Sequence, residues 1–454
     1  MTRTTTNARP AKLVAAIALC VGACATAAFV VALRDARKNR VAFPNSTQAL
    51  SRSMEPTLRG PRFQWRCQNC GAAFAISVDL EGIKNFESAS ELDDAKERAK
   101  KDFRERARSV ECPFCATAAR PEDAIFLDGD RVFFDPEDVA APKRWELVFF
   151  RDAQGRPTLK RAVGLPGERV AIRNGDVYVD GEIPRRDRAT IWATAAPVFP
   201  IELARADSRI AVSRVLRARD AQGALHSPLA AIANESPIPC WNGANASQPE
   251  FARDFMLRFD LRTTEEDGRF AILARRPFRA LLVELDLAAR EVQMGALDLD
   301  DDGKRNGKPF ETLDVDDFAD VAKARFDVSD GVARADTTRV ELTTVDGEAA
   351  LALDGDLIAT VELGDLDEPR VVGIATPFAL LGRASRVGAI ELFRDLHYSS
   401  TETSREETLV PEDAHYVLGD NSPASLDSRF PDVGCARVER ALRPRTSNSS
   451  SLTP

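Results

Sequence analysis

Residues 51–58 read SRSMEPTL: two serines flanking one arginine, then a methionine and a Glu-Pro step whose proline ring stiffens the chain. A serine hydroxyl is a weak nucleophile at neutral pH and needs an adjacent base to take its proton. Histidine is the usual base, but the chain holds only His226, His397 and His415, all far from this stretch in sequence. A lysine can serve if it is neutral, and burial in apolar surroundings favours the neutral form. Lys160 in TLKRAVGLPGE (158–168) is the candidate: on a strand it shares a face with Ala162, while Arg161 points the other way. Without further context Lys160 reads as an exposed strand lysine. His415, just ahead of YVLGDN, is the rival base and reads as an ordinary strand-end histidine.

A third segment, LGDNSPASLDSR (418–429), joins these two. Together the three resemble, in order and behind an apolar N-terminal run, the nucleophile, lysine and C-terminal boxes of type I signal peptidases. These are membrane-bound Ser/Lys endopeptidases that remove signal peptides. The resemblance covers the apolar run and roughly residues 44–60, 123–185 and 405–430. It implies Ser53 as nucleophile and Lys160 as general base, with Ser51 joining the Ser53 N–H in an oxyanion hole. Ser425 would orient the lysine. Arg161, Asp420, Asp427 and Arg429 would brace the site, with Gly419 and Asn421 completing the box. Ser422-Pro423-Ala424 after GDN, and FPDVG in place of an aromatic-Gly ending, depart from the family's commonest pattern.

Two CxxC pairs, Cys67/Cys70 and Cys112/Cys115, are separated by residues 71–111. Each can present two thiolates to a tetrahedral ion, the pattern of a structural zinc site with no open coordination position. Disulfides are the alternative if the segment lies outside the cytoplasm. Cys20 and Cys24 fall in the apolar run, and Cys240 and Cys435 form no evident pair. DLDDDGKRNG (298–307) has the first ligand spacings of a calcium loop, but Pro309 stands where the bidentate acid belongs, so it reads as a solvated acidic turn.

These residues need elements to position them. Residues 13–33 are an uncharged apolar run long enough to cross a bilayer as a helix. A cleaved signal peptide or lipidation at Cys24 are the competing readings, and the anchor is preferred because the run is long and continues past Cys24. Arginines and lysines flank both ends, so charge does not orient it. The formal charge of −9 argues against general nucleic-acid binding. Residues 88–110 read as a solvated helix, with Ser88 and Glu91 at capping-box spacing. Runs at 144–150, 158–165, 169–175 and 176–182 read as antiparallel strands with Asn-Gly and Asp-Gly turns. Residues 186–250 read as looser chain. Further strands at 254–263, 268–275, 279–287, 338–345, 349–355, 357–363 and 388–398 suggest a β-sandwich, weakly similar to laminin-G or concanavalin-like jelly rolls.

The expected fold is therefore mostly β. Residues 1–40 are a tail and transmembrane anchor; 41–60 and 123–190 the first part of an antiparallel catalytic domain; 61–122 a zinc-ribbon-like insertion; 195–398 a β-sandwich insertion; 405–440 the C-terminal catalytic part; and 441–454 a disordered tail. The expected function is signal peptidase I activity on exported preproteins, without a catalytic cofactor. The chain would sit in the cytoplasmic membrane by a single span, among lipid, with the catalytic domain on the far side. The sandwich would take a glycan or protein ligand. The alternative is a catalytically idle, membrane-tethered relative that uses the sandwich for binding.

Overall fold

The computed structural model describes residues 46–69, 71, 73–78, 80, 89–106, 110–112, 117–133, 141–199, 216–218, 228–232, 240, 251–262, 269–286, 289–327, 337–364, 374, 377–381 and 387–442. The expected anchor lies outside them, and no helix among them is long and apolar enough to cross a membrane. Every strand pairing among the described residues is antiparallel, as hairpin-rich sequence demands.

The site is carried by two small sheets. One is ordered Tyr416–Leu418, Pro157–Gly164, Leu147–Arg151, Arg440–Leu442; the other Asp176–Val179, Arg169–Arg173, Thr408–Leu409. Asn174 and Gly175 take the left-handed conformations (φ 52° and 97°) of a two-residue hairpin turn, pairing Arg173 with Asp176. From Lys160 onward the strand Pro157–Gly164 is buried on both faces. Ala162 packs with Val148, Phe150 and Val417 on one side, and Val163 with Val170, Ile172 and Leu418 on the other. Two-sided burial, which alternation alone does not reveal, takes Lys160 out of solvent. Arg440–Leu442 also belongs to this sheet, with Ala441 and Leu442 buried, so the C-terminal tail begins later than residue 441.

The cysteine insertion builds a sheet of Ala73–Ser77, Arg62–Arg66 and Ile125–Leu127, which crosses the expected boundary at residue 122. Helix α1 (Ala89–Arg106) lies against it. The helix is not solvated all round. Phe103 stacks on Phe63 at 3.9 Å between ring centroids, and Ala95 and Lys96 are buried, with Lys96 Nζ 2.8 Å from Asp128. A single aromatic in a charged helix was the signal for this packed stripe.

The sandwich consists of a six-stranded sheet (Ala196–Phe199, Val387–Arg394, Phe255–Arg262, Thr337–Val345, Glu348–Leu353, Asp356–Glu362) and a seven-stranded sheet. The seven-stranded sheet is ordered Leu216–Ala218, Pro228–Ile232, Phe378–Leu381, Arg269–Arg276, Arg279–Asp286, Glu291–Asp298, Ala324–Asp327. Phe255, Leu257, Phe259 and Leu261 alternate into the shared core against Phe270, Ile272 and Phe378. Ala271 and Leu273, on the opposite face, are covered by Phe310, Leu313 and Phe318, so these strands are apolar without alternation. The stretch expected to be loose contains, among the described residues, three strands, Ala196–Phe199, Leu216–Ala218 and Pro228–Ile232, and helix α2 (Arg188–Thr194). The Asp187 side chain caps α2 by accepting from Thr190 N at 2.7 Å. Turn composition concealed these short elements.

The sandwich meets the smaller sheets at a buried ionic junction. Arg186 donates to both carboxylates of Asp346 and Asp395, its contacts running from 2.5 to 3.0 Å, and lies over Trp145. Asp254 pairs with Arg276 at 2.7 Å, and carboxylate oxygens of Asp176, Asp254 and Asp395 lie within 4.8 Å of one another.

Candidate active site

Residues 51–58 form a tight turn, with Glu55 N donating to Arg52 O (3.1 Å) and Leu58 N to Met54 O (2.9 Å). The buried Met54 side chain pins it. Ser51 Oγ donates to Ser53 Oγ at 3.1 Å and accepts from Ser53 N at 3.4 Å, so the two expected oxyanion donors lie side by side. The C-terminal box holds the turn from behind: Asn421 N donates to Ser53 O (3.0 Å), and Asn421 Nδ2 to Arg52 O (2.9 Å).

Lys160, 4% exposed, donates from Nζ to Ser425 Oγ at 2.9 Å. Gly419 explains how Ser425 and Ser53 come together. A Cβ at this position would sit 2.2 Å from Ser425 Oγ and 2.6 Å from Ser53 O, so only glycine lets them close on it. A buried lysine bonded to a serine hydroxyl, and joined through Gly419 to the Ser53 turn, has the parts needed to move a proton off a serine.

Two buried ion pairs frame these groups. Arg161 clasps Asp420 through Nε (2.8 Å) and Nη2 (2.6 Å), and its Nη1 donates to Trp145 O (2.6 Å). Burial opposes the guanidinium charge, but Asp420 outweighs it and pushes the Arg161 pKa up. Arg429 clasps Asp427 through Nε (2.7 Å) and Nη2 (2.9 Å), while Gly419 N donates to Asp427 Oδ2 (2.9 Å). Arg429 also donates to the carbonyls of Ser399, Ser422 and Ser425 and to Ser422 Oγ. A cavity of about 260 Å³, lined in part by Thr401, Ser422, Leu426 and Phe430, opens beside Ser425.

Every expected site residue outside the cysteine pairs thus falls in one constellation. His415 does not join it. Its backbone pairs with Ala436, its buried Nδ1 has no hydrogen-bond partner among the described residues, and burial pushes its pKa down. His397 packs on Gly175, and His226 lies outside the described residues.

Sequence reasoning missed several supports. Thr57 Oγ1 donates to Asp420 Oδ2 at 2.5 Å, tying the nucleophile turn to the Arg161 pair. Ser77 Oγ, from the cysteine insertion, donates to Glu55 Oε1 at 2.5 Å; burial pushes the Glu55 carboxyl up, against the lowering effect of that bond. Tyr398 and Ser399, at the exit of the sandwich, reach Asp420 and Ser422. Thr57 stands within the quoted motif, but partners hundreds of residues away give no local signal.

Cys67 and Cys112 are buried together with Phe63, Trp65 and Phe74; Cys70 and Cys115 lie outside the described residues. Gly71 N donates to Cys67 O and Cys112 N to Thr117 O, both at 2.9 Å. Asn69 Nδ2 donates to Thr117 Oγ1 at 3.1 Å and ties the two segments together. The thiols of Cys67 and Cys112 are donors of the type a structural zinc takes. At the acidic turn, Asp300 Oδ1 accepts from the backbone of Asp302 and Lys304. The Asp176, Asp254 and Asp395 carboxylates lie close enough to face one ion, but two are already paired with Arg276 and Arg186.

Residues 117–196, which include the Lys160 strand, match the family model described as signal peptidase, peptidase S26. Over that stretch the chain is similar to signal peptidases. No curated protein matches it in sequence. Among solved structures, Caenorhabditis elegans galectin LEC-6 is 13% identical with a TM-score of 0.19, over 35% of this chain and 92% of that one. Chicken galectin 2 is 10% identical with a TM-score of 0.21, over 30% and 88%. The Ruminococcus gnavus IT-sialidase CBM40 is 14% identical with a TM-score of 0.20, over 33% and 79%.

Proposed function

We propose that this chain is a signal peptidase I, a serine endopeptidase that cuts signal peptides from exported preproteins with a Ser53/Lys160 dyad. The observation that carries the reading is the buried Lys160–Ser425 hydrogen bond, closed onto the Ser53 carbonyl by Gly419. Neutral Lys160 takes the Ser53 Oγ proton as the oxygen attacks the scissile carbonyl. The oxyanion that forms receives hydrogen bonds from Ser53 N and Ser51 Oγ, which requires the Ser51 hydroxyl to rotate off Ser53. Collapse breaks the C–N bond, and the Lys160 ammonium returns its proton to the departing amine. Lys160 then deprotonates the water that attacks the Ser53 ester and passes that proton to the Ser53 oxygen as it leaves.

Small residues before the scissile bond, as in A-x-A, suit such a substrate. Residues 13–33 would anchor the enzyme in the cytoplasmic membrane, with the peptidase domain on the far side, where cleavage sites emerge. Cys67, Cys70, Cys112 and Cys115 would hold a structural zinc, and the sandwich would bind a glycan or protein. The deciding experiment incubates purified protein and its Ser53→Ala variant with a model preprotein in detergent. Cleavage by the parent alone supports the reading; an inert parent, or an equally active variant, overturns it.

A further inference from the structure

The chain leaves the sandwich along residues 395–399, and this return touches the site's supports at several points. Asp395 is gripped by Arg186 at 2.8 and 2.5 Å. Tyr398, 2% exposed, donates its phenol O–H to Asp420 Oδ1 at 3.4 Å. Asp420 is the hub that already receives Thr57 from the nucleophile turn and Arg161 from the lysine strand. One residue on, Ser399 N donates to Ser422 Oγ at 2.8 Å, and its carbonyl accepts from Arg429 Nη1 at 3.0 Å. Arg429 donates to the Ser425 carbonyl (3.3 Å), and Ser425 Oγ receives Lys160.

Both halves of the dyad are therefore backed by two consecutive residues from the end of the inserted domain. We propose that Tyr398 and Ser399 are positioning residues of the peptidase site, through which the sandwich sets the geometry between Ser53 and Lys160. Neither touches the reacting atoms. Tyr398 holds the Asp420 carboxylate in place between the nucleophile turn and the lysine strand, and Ser399 holds the Ser422–Arg429 pair behind Ser425. Burial and the neighbouring Asp420 push the Tyr398 pKa well up, so its hydroxyl remains a donor throughout the working range. For Tyr398 the expected effect is on the chemical step, because proton transfer from Ser53 depends on sub-ångström alignment and Tyr398, unlike Ser399 and Ser422, does not line the cavity beside Ser425.

The inference rests on the Ser/Lys reading, and the test separates the two. Full-length parent, Tyr398→Phe, Ser422→Ala and Ser422→Thr are assayed in detergent on a preprotein, with rates normalised to the folded fraction. Loss of one long hydrogen bond to a carboxylate should lower kcat by about three- to ten-fold in Tyr398→Phe, with KM unchanged. Ser422→Ala should lower kcat likewise, with any change in KM coming from its place in the cavity lining, and Ser422→Thr, which restores the hydroxyl, should recover most of kcat. If Ser422→Ala fails to fold, Tyr398→Phe decides alone. A Tyr398→Phe enzyme with parental kcat, or one altered only in KM, overturns the inference while leaving the peptidase reading intact. An inert parent overturns both.

Discussion

Two buried ionic clusters lie close together in this molecule and are balanced differently. At the candidate site the carboxylates and guanidiniums match one to one: Arg161 with Asp420, and Arg429 with Asp427, each in bidentate geometry. At the junction with the sandwich, Asp176, Asp254, Asp346 and Asp395 face Arg186, Arg276 and Arg394, four carboxylates against three guanidiniums among the described residues. Desolvation acts on both, but only the first matches every carboxylate with a guanidinium. At the junction, burial and crowding by Asp254, Asp395 and Asp346 push the Asp176 pKa well up. Burial, with help from Asp395 and Asp346 and against Arg276, lifts Asp254 to about 6. Its Oδ1 lies 2.7 Å from Arg276 Nη2 yet off the hydrogen-bond direction. Matched pairs make a rigid frame for chemistry; an excess of acid makes a joint that takes up protons.

The largest expected effect tests what the matched frame is for. Lys160→Arg keeps the charge but cannot give up its proton, so preprotein cleavage should fall by about 10²- to 10⁴-fold. In the parent, cleavage should rise with pH along a single ionisation, because only neutral lysine accepts the Ser53 proton. His415→Ala should cleave at near the parental rate. Near-normal cleavage by Lys160→Arg would remove the Ser/Lys mechanism.

Next in size is the frame itself. Asp420→Asn leaves the buried Arg161 uncompensated and should cost about 3–5 kcal/mol in chemical denaturation. If the loss is below about 1 kcal/mol, the pair is not the frame that its geometry suggests.

At the junction the sign reverses. Asp176→Asn removes one of four crowded acids and should raise the melting temperature at pH 7–8 by a few degrees. A decrease would mean that the carboxylate is needed in its charged form. The pH dependence comes from the direction of the shifts. A group whose pKa is raised on folding contributes stability that is full below its unfolded value and lost as pH rises through the folded one. For Asp254 that window runs from about 4 to about 6, so junction stability should fall on raising the pH across it. Melting curves of parent and Asp176→Asn from pH 4 to 8 would show this, and a parental curve that is flat there would contradict the acid excess.

The smallest effect belongs to a pair outside both clusters. Arg185 meets Glu362, but both side chains are more than half exposed, so Arg185→Ala should change stability by no more than about 1 kcal/mol. A loss as large as that of Asp420→Asn would mean burial is not what separates the clusters.

The candidate site was legible as a resemblance of three short boxes, each of which is local in sequence. Ser51 and Ser53 share one turn, Lys160 and Arg161 are neighbours on a strand, and Gly419 through Arg429 form one box. The hairpins were equally readable: Asp346-Gly347 and Asp354-Gly355 adopt the left-handed turn conformations that their residue types permit. Less legible were segments whose role depends on distant partners. Phe103 turned an apparently solvated helix into a packed one, and Pro228–Ile232 became a strand only by pairing with Phe378–Leu381.

By itself the sequence determined the antiparallel β character, the strand registers set by short turns, and the residues able to do acid–base chemistry. Spacing and side-chain type are properties of the chain, and they fix local hydrogen-bond geometry wherever it folds. Tertiary structure alone decided that both faces of the Lys160 strand are dry, that Gly419 closes Ser425 onto Ser53, and that the sandwich returns through Tyr398 and Ser399 into the site's supports. Desolvation and ion pairing depend on what packs around a group, and here those neighbours come from segments hundreds of residues apart.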